Sequence, residues 1–198
     1  MIKLYTSNTP NGRKVSILLE ELKVKYKTHL INLDKKEQFN IEFSKISPTN
    51  KIPVIQDLDN KQVVFESGAI LIYLAQKYNN FLPKNYYWEV IQWVIFQVAY
   101  VGPMLGQAHQ YLYYHSGKSE FAENKSKDYV RHIYKILDER LKFNEYIANS
   151  YSIADISIWP WVDRHERHQV ILSNYQHVDR WYKIISKRPA VLKGYNVG

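Results

Sequence analysis

The chain has 198 residues, 45% hydrophobic and 23% charged, with a formal net charge of +8 and no cysteine. That profile fits a soluble globular protein with one core or two small ones, and the missing cysteines exclude disulfides, thiolate metal sites and a cysteine nucleophile. No run of 18 apolar residues suggests a membrane span, and MIKLYTSN carries no apolar signal region, so a cytoplasmic location is expected.

The first 80 residues alternate strand and helix signals. IKLYT reads as a short buried strand. From Gly12 to Lys23, Val15, Leu18, Leu19 and Leu22 fall at helical spacing, with Glu20 and Glu21 outside. VKYKTHLINL alternates as a second strand. IPVIQD and QVVFE read as two short strands joined by Leu58-Asp59-Asn60-Lys61, a hairpin-type turn. Ser67 is placed to cap a helix with Ile70, Leu71 and Leu74 inside. Two parallel strands, an antiparallel hairpin and a covering helix make a thioredoxin-like layout.

Asn79-Asn80-Phe81-Leu82-Pro83 reads as a linker, and everything after it reads as helix. Val90, Ile91, Val94, Ile95, Val98 and Val101 form an apolar face expected to end near Gly102-Pro103. A second long helix is expected from Ser119 to Phe143. Ser152 and Asp155 form a capping-box variant at the head of a third, in which Pro160 predicts a kink. A last helix is expected over Val178 to Lys187, stopping before Pro189. The charge excess is spread over both parts: residues 1–80 carry 12 Lys/Arg against 8 Asp/Glu, and residues 81–198 carry 15 against 11. No basic stripe results, so attraction of anionic small molecules is expected rather than nucleic-acid binding.

Three segments carry the chemistry: SNTPNGRK at 7–14, NKIPVI at 50–55 and FESGAI at 65–70. Each places polar backbone or hydroxyl groups where a loop meets an element. Ile52-Pro53 sits at a strand start, where a cis bond would leave the N–H and C=O of Ile52 for a ligand's own backbone. Such a clamp holds a small peptide and points to glutathione. Each segment also has a plainer reading: a turn and helix cap at Thr9-Pro10-Asn11-Gly12, a solvated lysine at Lys51, an N-cap at Ser67.

TPNGRK, QF at 38–39, SPTNKIP, FESGAILIYLA, GPMLGQ and YSIADISIWPWV closely resemble the Nu-class glutathione transferases, bacterial glutathione-dependent disulfide-bond reductases. The resemblance covers essentially the whole chain. It implies an α/β thioredoxin-like N-terminal domain over 1–80 and an all-α C-terminal helical bundle over 86–198, the glutathione transferase fold. It implies that reduced or oxidised glutathione is the ligand, without a metal. Thr9 and Asn11, ahead of the first helix, would stabilise the thiolate, with Tyr5 and Ser7 as competing donors. Ile52 and cis-Pro53 would clamp the cysteinyl part, and Lys51 would pair with the glycyl carboxylate. Glu66 and Ser67 would take the γ-glutamyl end, and Gln38 would add a contact.

Family members place an arginine of the neighbouring subunit near the ligand. Lys125 stands there in this chain, keeping the charge and losing the bidentate fork. A homodimer is expected. Tyr100 and Gln107 are candidates for the substrate pocket, whereas Trp93 and Phe96 read as core. His165 and His168, without a third ligand, read as a solvated face rather than a metal pair. Asp155 reads as a folding cap rather than a catalytic acid. The expected activity is glutathione-dependent disulfide reduction with weak transferase or peroxidase side activity. The alternatives are a general conjugating transferase and a non-catalytic glutathione-binding regulator.

Overall fold

The computed structural model describes residues 1–197. They divide into two compact units: residues 1–82 together with the stretch from Lys187 onward, and residues 83–186.

In the first unit, β1 (Ile2–Thr6) buries Ile2, Leu4 and Thr6 on one face and turns Lys3 and Tyr5 to the other. It pairs in parallel with β2 (Tyr26–Leu30), from Ile2 opposite Tyr26 to Thr6 opposite Leu30. On its other side it pairs antiparallel with β3 (Val54–Asp57), which pairs antiparallel with β4 (Gln62–Phe65). The sheet order is β2-β1-β3-β4. The connection between β1 and β2 is α1 (Pro10–Glu21), with Pro10 in its first turn and Thr9 as N-cap. Residues 12 to 19 of α1 are all buried. A short helix, α2 (Ile41–Ser44), follows β2, and α3 (Ser67–Lys77) packs against α1.

Ser67 does not cap α3 as expected. It is the first helical residue, and Glu66 occupies the cap position with no side-chain cap bond.

In the second unit, the apolar face from Val90 begins α4 (Tyr87–Phe96), but the helix does not end at Gly102-Pro103. The backbone passes through a wide π turn at Gln97–Val101 into α5 (Gly102–Ala108) and a second π turn at His109–Tyr114. The Gly102 N–H reaches back five residues to the Gln97 carbonyl. Pro103 then sits in the first turn of a new α-helical stretch, where its missing N–H is tolerated.

Ser119 caps α6 (Glu120–Leu141), its hydroxyl accepting the Ala122 N–H at 3.3 Å. Every residue of α7 (Ile153–Val162) is buried, as a helix apolar on all sides requires. Pro160 lies in its last turn, and the helix stops two residues later. α8 (Gln176–Ser186) follows.

Pro189 is not a stop signal but the first residue of a further helix, α9 (Pro189–Tyr195), which packs on α1 of the first unit. A Cβ at Gly194 would lie 2.6 Å from the Ile17 Cα, so only glycine allows this approach. The Ser16 hydroxyl donates to the Gly194 carbonyl at 2.6 Å, and Arg188 grips the Glu21 carboxylate at 2.6 and 3.0 Å. The sequence reading placed this stretch with the helical domain; its contacts are with α1.

Candidate active site

In the first unit Thr9 and Asn11 stand at the head of α1, Gln38 in a short turn after β2, Lys51, Ile52 and Pro53 ahead of β3, and Glu66 and Ser67 at the head of α3. The β1–α1 junction is tight. A Cβ at Gly12 would stand 2.4 Å from both the Ser7 carbonyl oxygen and the Thr6 hydroxyl. Glycine is therefore what lets the first turn of α1 settle onto the preceding loop. The Thr9 Oγ1 accepts the Gly12 N–H at 3.1 Å, and the Ser7 carbonyl accepts the Thr9 N–H at 2.7 Å. The cap reading and the catalytic reading of Thr9 are compatible: a hydroxyl accepting a cap bond still has its proton to donate.

One turn into α1, Lys14 is almost fully buried, at 1% exposure. Its ammonium donates to Asn11 Oδ1 at 2.8 Å and to the Ser67 Oγ at 3.3 Å. Burial pushes the Lys14 pKa well below the ordinary lysine value, and the Glu66 carboxylate partly restores it. Sequence reasoning passed over this residue, since a lysine in an Arg-Lys pair reads as solvent-facing. The available signal was its i,i+3 spacing from Asn11, which puts both on one helix face.

Glu66 and Ser67 open α3. Glu66 holds φ +67°, left-handed backbone for a residue with a Cβ. Such a conformation costs about 1–3 kcal/mol and persists where surrounding structure enforces it. Ser67 is buried, and Glu66 is exposed beside it. The Ile52-Pro53 bond is cis. Ile52 precedes the first ladder pair of β3, Val54 with Tyr5, so it lies outside the sheet pairing. Lys51 is exposed, while its backbone is pinned: Ser47 Oγ accepts the Lys51 N–H at 3.0 Å and donates to its carbonyl at 2.8 Å. Gln38 lies in a short turn after β2, its Oε1 buried without a hydrogen-bond partner among the described residues.

Of the competing donors, Tyr5 is committed elsewhere. Its hydroxyl donates to Gln56 Oε1 at 2.9 Å, and its ring packs against His29 and Phe43 on the outer sheet face.

In the second unit, Tyr100 is half-buried and belongs to an aromatic ladder. Its ring lies 5.7 Å from Phe96, 6.3 Å from Tyr129 and 6.1 Å from His132, and Phe96 meets Trp93 edge-on at 5.4 Å. Trp93 and Phe96 are half-buried members of that ladder rather than core residues. Gln107 is exposed on α5. Lys125 is exposed on α6, its ammonium 5.1 Å from the Tyr129 ring centroid.

His165 and His168 do not share a solvated face. His168 is buried, stacks on His109 at 4.7 Å and bonds the Tyr134 hydroxyl through Nδ1 at 3.1 Å. Burial, then the neighbouring Arg167 and Arg164 charges, pushes the His109 pKa down to about 4. Among the described residues no group of three or more His, Cys, Asp or Glu is placed to hold a metal.

A parallel-then-antiparallel sheet with a cis-proline ahead of β3, followed by a helical unit, defines a two-domain protein of the thioredoxin-like class. The chain belongs to the glutathione S-transferase family: the family's N-terminal domain matches residues 4–82 and its C-terminal domain residues 99–189. It is 39% identical to the disulfide-bond oxidoreductase YfcG of Escherichia coli, over 96% of this chain and 92% of that protein. Among solved structures, it is similar to a Burkholderia graminis glutathione transferase with two glutathione molecules bound per subunit (TM-score 0.92, 35% identity, 99% of this chain and 88% of that one). It is also similar to a Pseudomonas putida glutathione transferase with one glutathione disulfide bound per subunit (TM-score 0.92, 33% identity, 99% and 91%).

Proposed function

We propose that the protein is a glutathione-dependent disulfide-bond reductase. The observation that carries this reading is a chain without cysteine in which a cis Ile52-Pro53 bond precedes β3 and Lys14 joins Asn11 at the head of α1 to Ser67 at the head of α3. Every sulfur in the reaction must then come from ligands. Bound glutathione thiolate attacks one sulfur of a disulfide, the S–S bond breaks, and the other sulfur leaves as thiolate. A second glutathione thiolate attacks the glutathione sulfur of the mixed disulfide, releasing glutathione disulfide and the second substrate thiol. The relatives named above, an oxidoreductase and transferases holding two glutathiones or their disulfide, support the same sequence of events.

Thr9 and Asn11 are the donors to the thiolate, at the N-terminus of α1 where the helix dipole adds to their effect. The Ile52 backbone clamps the cysteinyl unit, Ser67 and Glu66 hold the γ-glutamyl carboxylate and ammonium, and Lys51 pairs with the glycyl carboxylate. The buried Oε1 of Gln38 accepts from the ligand. Tyr100 and Gln107 meet the second substrate. We further propose a homodimer in which Lys125 approaches the partner's ligand, and a cytoplasmic setting. Trp88, 72% exposed, and Ile95, 52% exposed, lie a heptad apart on α4 and support association through that face. Sedimentation finding only monomer at micromolar concentration would remove the dimer and the Lys125 role.

The reaction class is tested by running a hydroxyalkyl disulfide assay and an aryl-halide conjugation assay side by side with glutathione. Disulfide turnover is expected to dominate. Dominant conjugation would make the protein an ordinary transferase, and binding without turnover a regulator. Asn11→Ala and Thr9→Ala should each lower kcat by about 10²-fold, the usual cost of one preorganised donor, with glutathione affinity changed far less. Thr9→Ser, which keeps both cap and hydroxyl, should retain activity.

A further inference from the structure

We infer that Lys14 is the positioning residue of this site, its buried ammonium aligning Asn11 and Ser67 as donors to the two ends of one glutathione. The inference rests on the glutathione reading above and deepens it.

Asn11 and Ser67 are 56 positions apart, one at the head of α1 and the other at the head of α3. Lys14 is where they meet, at 2.8 Å from Asn11 Oδ1 and 3.3 Å from the Ser67 Oγ. An ammonium has only donors, so it can face only the acceptor side of each group. With Oδ1 turned to Lys14, the Asn11 carboxamide carries its NH2 on the opposite side. Ser67, accepting from Lys14, keeps its hydroxyl proton for another acceptor. One cation thus fixes which way an amide and a hydroxyl point, a choice that neither group makes alone.

The surroundings hold the ammonium in place. Lys14 is buried on a helix in which every residue from Gly12 to Leu19 is buried. Glu66, the carboxylate acting on it, comes from the head of α3. On its own helix, the neighbouring Arg13 lays its guanidinium over the Tyr195 ring of α9, 3.4 Å from the centroid. A buried cation favours negative charge close by. A thiolate beside Asn11 and a carboxylate beside Ser67 each supply it. The two ends of the ligand are therefore coupled through one side chain: filling the γ-glutamyl end stabilises the ammonium that orients the thiolate donor.

The test compares wild type with Lys14→Met, which keeps the bulk and removes the charge. Glutathione affinity comes from calorimetry, ionisation of the bound thiol from thiolate ultraviolet absorbance against pH, kcat and KM from the disulfide assay, and stability from urea unfolding. Lys14→Met is expected to raise the bound thiol's pKa, to lower kcat by about 10²-fold through misplaced donors, and to be no less stable than wild type. The double variant Lys14→Met/Asn11→Ala should lose little more than Asn11→Ala alone.

An unchanged thiol pKa and kcat would overturn the inference. So would an activity loss that follows the unfolded fraction. Should Lys14→Met not fold, Lys14→Gln, uncharged but still a hydrogen-bond donor, carries the same expectation for the thiol pKa. Failure of the underlying reading looks different: wild type itself would bind no glutathione.

Discussion

Asp155 offers the sharpest test of how the helical unit is held. Its Oδ1 accepts the Ile147 N–H at 2.9 Å and the Trp181 indole N–H at 2.8 Å, and its Oδ2 accepts the Ser152 N–H at 3.0 Å. The carboxyl is fully buried, and burial raises its pKa to about 6 against four hydrogen bonds that lower it. Asp155→Ala strands three buried N–H donors, each costing about 1–3 kcal/mol, while the Ser152 hydroxyl, the fourth partner at 3.3 Å, can rotate to another acceptor. Against this, the variant no longer carries a buried anion whose raised pKa corresponds to roughly 3 kcal/mol at pH 7. The balance is a loss of about 3 kcal/mol at pH 7, read by urea unfolding with tryptophan fluorescence and far-ultraviolet circular dichroism.

The pH dependence fixes the sign. A carboxyl whose folded pKa is raised contributes stability that is present below the ordinary value of 3.8 and lost as pH climbs through about 6. The deficit of Asp155→Ala should therefore widen as pH falls from 7 to 4. A loss under about 1 kcal/mol, within the range of an ordinary surface cap, would refute this account. Intact stability with lost turnover would make Asp155 part of the chemistry instead.

His109 works in the opposite direction over much of the same interval. Its pKa is depressed from 6.5 to about 4, so its contribution is present above 6.5 and lost on acidification toward 4. Trp161, His168, Arg164 and Arg167 face it, and none offers a negative charge to an imidazolium. His109→Phe should shift the stability difference between pH 7 and pH 4 by about 3 kcal/mol in favour of acid; curves running parallel to wild type would contradict this. Gly12→Ala drives a Cβ against the Ser7 carbonyl and the Thr6 hydroxyl, and should cost about 1–3 kcal/mol of overpacking strain and lower turnover by displacing Thr9. A variant with wild-type thermal midpoint and activity would show that the junction yields freely.

Backbone features were legible where they sit at turns. The cis Ile52-Pro53 bond and the Thr9 cap both lie where local sequence governs local backbone, whereas the start of α3 was read one residue late. Lys14 was not legible, because what fixes its meaning is Ser67, a partner 53 positions away that only folding brings close. The same limit applies to His168, whose burial depends on Tyr134 and His109 from other elements. Proline misled twice for one reason. Pro103 and Pro189 both read as helix stops, and each instead occupies the first turn of a helix, where the missing N–H has no intrahelical partner to lose. Trp93 and Phe96 gave a helical period but no depth, since aromatic spacing is the same on a core face and on a half-open one.

The seat of α9 on α1 bears on how the chain matures. A ribosome delivers α1 long before α9, so the thioredoxin-like unit stays incomplete until α9 has emerged. Until Gly194 emerges to cover Ile17, and Arg188 to grip Glu21, the nascent thioredoxin-like half must wait with one flank of its central helix uncovered. The helical unit, continuous in sequence, has no such delay. In vectorial synthesis this flank of α1 is covered only after every helix of the second unit has been made.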